Sequence, residues 1–188
     1  MSIFTIIIYV TTIINKNKNT FIMKKVILFI LFTVYISPII AQEKAEEHIN
    51  TTLNNWHNAA AEANFNNYFD LFTDDAIFIG TDATEHWDKK AFQVYAKPHF
   101  DKGKAWSFTA LERHIYFSDD KKTAWFDELL NTQMKICRGS GVLVLLNGKW
   151  KIKQYVLSMT IPNDTSDAVI KIKAPIEDTL IGTLKGKK

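Results

Sequence analysis

Three observations predict one α+β domain in which N-terminal helices precede an antiparallel sheet. Residues 43–62 repeat apolar positions at helical spacing. From Ala105 onward the texture changes to strand alternation broken by turns, and Asn147-Gly148 is a strong two-residue hairpin signal. The third is composition: 188 residues, 47% of them hydrophobic and 13% aromatic, supply one core and little more.

The first 41 residues read as targeting sequence. MKKVILFILFTVYISPIIAQ, Met23 to Gln42, has a Lys-Lys start, an apolar stretch and small Ala41 before Gln42, with Ile39 a less usual residue at minus three. It predicts a signal peptide and export to the periplasm or medium, without a stable membrane anchor. An uncleaved anchor is the alternative. Residues 1–22 are out of place before a signal peptide, so translation is expected to begin at Met23. No cysteine lies near Ala41 to carry a lipid. Residues 1–41 hold four lysines and no acid, so the net charge of +3 becomes −1 without them. That balance leaves no basic surface for nucleic acid.

In the remainder, Ala45, Ile49, Leu53, Trp56 and Ala60 define one helical face, and a short helix is expected over 65–72. AIFIG (76–80) reads as a strand and DKKAFQVYAKPHF (88–100) as a helix ending near Pro98. Strands over 106–117, 123–133, 137–146 and 149–161 form a meander, and 162–173 adds a short helix before a frayed, lysine-rich end. The expected divisions are a leader, 1–41, a domain, 42–165, and an extension, 166–188.

Pairing decides which side chains share a face. A three-residue loop at Asp119–Lys121 would set Arg113 opposite Asp127. The Asn-Gly turn would set Leu145 opposite Trp150 and Gly141 opposite Gln154. The inner face would then carry Arg113, Trp125, Asp127, Gly139, Gly141, Trp150, Gln154 and Ser158, and Glu128 would lie outside with Arg138.

The order of elements, with FIGTDATEHW (78–87), AWSF (105–108), AWFDELL (124–130), CRGSGVL (137–143) and WKIKQYVLS (150–158), resembles the SnoaL-like domain proteins of the nuclear transport factor 2-like superfamily. The resemblance covers about residues 45–165. It implies a cone-shaped fold with a deep pocket for a small, partly apolar molecule, and a homodimer through the outer sheet face. It does not choose a reaction, because such folds host many. The positions of the steroid isomerases' catalytic groups fall near Gly80 and Val142, which cannot move protons. Of the epoxide hydrolases' Arg-x-Asp, only Asp127 survives in Trp125-Phe126-Asp127.

The candidate catalytic pair is therefore Asp127 as base with Arg113 orienting it, in a lyase- or isomerase-type reaction. The alternative is a buried ion pair that fixes register in a non-catalytic binding or dimerisation module. Trp125, Trp150 and Trp56 are candidate apolar walls of the pocket, and Gln154 and Ser158 its hydrogen-bonding points. Thr81, Asp82, Glu85, His86 and Trp87 could close its mouth; alternatively Thr84 or Asp88 caps the following helix and Asp82 orders a turn. The five histidines lack metal-ligand spacing, Cys137 reads as a buried spectator, and no cofactor motif is present.

Overall fold

A computed structural model of the chain describes residues 20–187, with side chains at Lys25 and over 42–187. Residues 1–19 of the leader lie outside the described residues, and so do the side chains of 26–41. Among the described residues no helix is long and apolar enough to cross a membrane. The chain divides into two units, Met1–Ile49 and Asn50–Lys188, joined within helix α1 (Thr20–Ala61).

In the second unit α1 is followed by α2 (Phe65–Asp70), β1 (Phe72–Ile79), β2 (His86–Asp88) and α3 (Lys89–Phe100). Strands β3 (Phe108–Phe117), β4 (Thr123–Thr132), β5 (Lys135–Leu146) and β6 (Lys149–Met159) form the expected meander. A 3-10 turn then leads into α4 (Ser166–Lys185). The sheet has six strands in the order β2-β1-β6-β5-β4-β3, and β1 runs parallel to β6. Strand β2 was not anticipated. It is three residues long, and its pairing of Phe78 with Trp87 carries too short a pattern to read from sequence.

Local chemistry explains the boundaries. Asn64 caps α2 by accepting from the Asn67 N–H at 3.1 Å, and Asp88 caps α3 by accepting from the Ala91 N–H at 2.8 Å. Asn147 and Gly148 both have positive φ, 51° and 76°, as the β5–β6 turn requires. The core gathers Trp56, Tyr68, Phe69, Phe72 and Phe92 between the helices and the sheet, all nearly inaccessible. Trp56 stacks on Tyr68 at 5.2 Å and meets Tyr155 edge-on at 4.6 Å.

The register of β3 against β4 differs from expectation by one residue. The connecting loop has four residues, 119–122, closed by the Ser118 N–H to Thr123 carbonyl bond at 2.9 Å. Asp120 accepts from Ser118 Oγ and from the Lys122 N–H, and Lys121 takes φ 56°. Arg113 therefore sits opposite Glu128, and His114 opposite Asp127. A bulge at Leu111 and a second at Lys153 change the alternation again. Leu145 does face Trp150 and Leu143 faces Ile152, but beyond Lys153 it is Tyr155, not Gln154, that faces Gly141.

The candidate pocket and the polar network behind it

The register places Glu128 in the interior. Its side chain is fully buried, and four donors converge on it. His57 Nε2 lies 2.9 Å and the Tyr155 hydroxyl 3.0 Å from Oε1, while Arg113 donates to Oε2 from Nε at 2.9 Å and Nη2 at 2.7 Å. Arg113 Nη1 in turn donates to the Asn50 and Asn54 side-chain oxygens, both at 3.0 Å. One buried acid thus ties α1 to β3, β4 and β6. Burial raises the Glu128 pKa, but the His57 hydrogen bond and the charges of His57 and Arg113 outweigh it and hold the carboxyl below its ordinary value. Tyr155 is pushed well above the phenol range by burial and then by the Glu128 charge.

Glycines make room for this network. A Cβ on Gly139 would come within 2.8 Å of Tyr155 Cζ and 3.0 Å of Glu128 Cγ, and one on Gly141 within 2.8 Å of the Phe126 ring. The space that these glycines leave on the inner face is filled by Tyr155 and Phe126.

Several residues expected in the pocket therefore lie elsewhere. Asp127 points from the outer face, its side chain 45% exposed, and pairs with His114 at 3.2 Å. Trp125 is 46% exposed beside Tyr116 on that same face. Gln154 and Ser158 fall there too, because the bulge at Lys153 reverses the alternation. Trp56 is core, and Trp150 packs against Phe117 at 6.0 Å. The expected ion pair exists, but its acid is Glu128.

The pocket opens where the β1–β2 loop, α3 and the start of β3 come together, and has a volume of about 210 Å³. Phe78, Trp87, Phe92, Tyr95 and Trp106 supply aromatic walls, and Phe108, Met134 and Leu157 complete the apolar lining. Thr81, Glu85, His99 and Gln133 are its polar side chains. Phe92 stacks on Phe78 at 3.9 Å, and Trp87 on Tyr95 at 4.4 Å. Glu85 Oε2 accepts from the Asp82 N–H at 3.1 Å, and Asp82 in turn orders Thr84, so this loop both turns the chain and lines the pocket. Tyr95 titrates above its ordinary value through burial, assisted by the charge of Glu85.

The pocket wall is also the network's cover. Phe108 lies 5.8 Å from the His57 ring, and Phe78 lies 5.7 Å from Tyr155. Sequence reasoning had Glu85 and Trp87 on the mouth loop but missed Tyr95 and Trp106. It also missed His57, although its spacing from Leu53 and Ala60 placed it on the apolar face of α1. Among the described residues no group of three or more His, Cys, Asp or Glu side chains could hold a metal ion.

The family model of the SnoaL-like domain matches residues 49–162, more than half of the chain. The chain belongs to the SnoaL-like domain family. Solved structures agree on the fold. An NTF2-like protein of unknown function from Pseudomonas putida KT2440 matches with TM-score 0.56 and 13% identity over 65% of this chain and 92% of its own. A proposed dehydratase of the NTF2-like family from Streptomyces avermitilis matches with TM-score 0.54 and 11% identity over 62% and 96%. A proposed aromatic ring hydroxylase from Novosphingobium aromaticivorans gives 0.55 and 12% over 63% and 91%. No curated protein matches the sequence of this SnoaL-like chain.

Proposed function

We propose that this SnoaL-like domain is an exported binding protein for a small, partly apolar molecule held in the aromatic pocket. The observation that carries the reading is the lining: six phenylalanine, tryptophan and tyrosine rings with a few polar side chains among them, the composition of a ligand site. A volume of about 210 Å³ suits one or two fused rings. Binding is favoured over acid–base turnover because the interior carboxylate, Glu128, has both oxygens engaged by donors. A carboxylate so held is a poor base.

Turnover in the same pocket is the second reading, with Glu85 and His99 as the titratable groups, and the neighbour proposed to be a dehydratase supports it. The test is titration with one- and two-ring aromatics followed by calorimetry. Trp106→Ala is expected to weaken binding about tenfold, and Asp127→Asn to leave it unchanged. Equal affinity of Trp106→Ala and the parent protein would refute the assignment. Product formation from any bound compound would favour the second reading.

The export proposal predicts a mature N-terminus at Gln42, read by sequencing the exported protein. The outer sheet face is proposed as a dimer contact between two copies. There Tyr116 and Trp125 stack at 6.0 Å and stay about half exposed. Trp125→Lys is expected to shift a dimer to monomer in light scattering, and a monomeric parent protein would overturn the contact.

A further inference from the structure

The pocket's electrostatics narrow the ligand class, given the binding reading above. Among its lining side chains Glu85 alone is an acid and none is Lys or Arg. His99 contributes positive charge only when protonated. Among the described residues the Glu85 carboxylate has no cationic partner, and its one hydrogen bond comes from the Asp82 backbone. An anionic ligand would have to give up water beside a carboxylate that nothing neutralises. A cation would gain that carboxylate and the π-faces around it, with Trp87 and Tyr95 stacked at 4.4 Å and Tyr95 still 44% exposed.

The chain also fixes where this charge sits. Glu85 packs over Gly80 so closely that a Cβ there would strike its carboxylate, with Cδ at 2.9 Å and Glu85 Cβ at 3.0 Å. The Gly80 N–H donates to the Glu85 carbonyl at 3.0 Å, closing the loop around that contact. The acid is thus seated against the end of β1 by the absence of a side chain.

We propose that the pocket takes small aromatic amines, bound as ammonium ions with the charge on Glu85 and the ring among the aromatic walls. Three compounds with one ring system separate the charge types: tryptamine, tryptophol and indole-3-acetate. Calorimetry at neutral pH is expected to show tryptamine about five- to tenfold tighter than tryptophol, and indole-3-acetate weakest. Raising the salt concentration narrows the gap. Glu85→Gln removes tryptamine's advantage, read as the ratio of the tryptamine and tryptophol affinities in the same variant. Gly80→Ala keeps the charge but displaces the carboxylate, and reduces the advantage as well. Tryptophol binding as tightly as tryptamine, or indole-3-acetate binding best, would overturn the amine assignment and leave the pocket standing. Binding of none of the three would overturn the pocket reading with it.

Discussion

Replacing Glu128 by Gln changes one oxygen to an amide nitrogen and removes one charge. In the native protein the two oxygens accept from His57, from Tyr155 and twice from Arg113. A glutamine can keep its oxygen on Arg113 only by turning its nitrogen to His57 and Tyr155, which must then change from donors to acceptors. The Arg113 side chain, 6% exposed, is left with no countercharge. Breaking a buried pair from one side costs about 3–5 kcal/mol. That is a large part of the roughly 5–15 kcal/mol that holds a typical domain. At about 2–4 °C per kcal/mol for a domain of this size, the melting temperature should fall by about 10 °C. Urea denaturation followed by tryptophan fluorescence measures the loss directly. The depressed pKa adds a second signature. A carboxyl held below its unfolded value contributes stability that is complete above that value, near 4.5, and is lost as pH falls through the folded value. The parent protein should weaken along this acid limb and Glu128→Gln should lack that component. Arg113→Met combined with Glu128→Leu should recover part of the loss, because the guanidinium is removed together with its countercharge. A Glu128→Gln protein within about 1 kcal/mol of the parent, with the same acid slope, would refute the network as a buried charge pair.

Asp127→Asn should change stability by less than about 1 kcal/mol, since it breaks only a half-exposed contact with His114; equilibrium unfolding checks this. Gly139→Ala should cost about 1–3 kcal/mol in the same assay, because the Tyr155 ring and the Glu128 methylene are both buried and have little room to yield.

The α+β class, the meander, the Asn-Gly turn and the main helices were legible because each rests on local signals: period, caps and a turn dipeptide. Facing was not. Ala124, Phe126, Glu128 and Leu130 alternate with Trp125, Asp127 and Leu129, so both faces of β4 carry an acid among apolar residues. Only pairing breaks that tie. The pairing depends on the SDDKK loop, where Lys121 rather than glycine or asparagine takes the positive φ, so nothing in the composition marks a four-residue connection. Leu111 and Lys153 are similarly silent. A leucine or lysine at a bulge looks like one in an unbroken strand. Trp150 was therefore placed on the correct face, and Gln154 and Ser158, just past the bulge, were not. The aromatic pocket escaped because its walls come from β1, β2, α3 and the approach to β3, segments that no single periodicity joins.

Tyr155 acts as a partition. One side of its ring faces Phe78, which lines the pocket, and its hydroxyl ends on Glu128. Gly139 makes the slot in which it stands. Two rings, Phe78 and then Tyr155, therefore stand between the pocket and the buried carboxylate. In a chain of this fold, small residues at positions 78 and 155 together would trade stability for a deeper chamber with an acid at its end. An inert scaffold and a proton-transfer site are thus neighbours in sequence space.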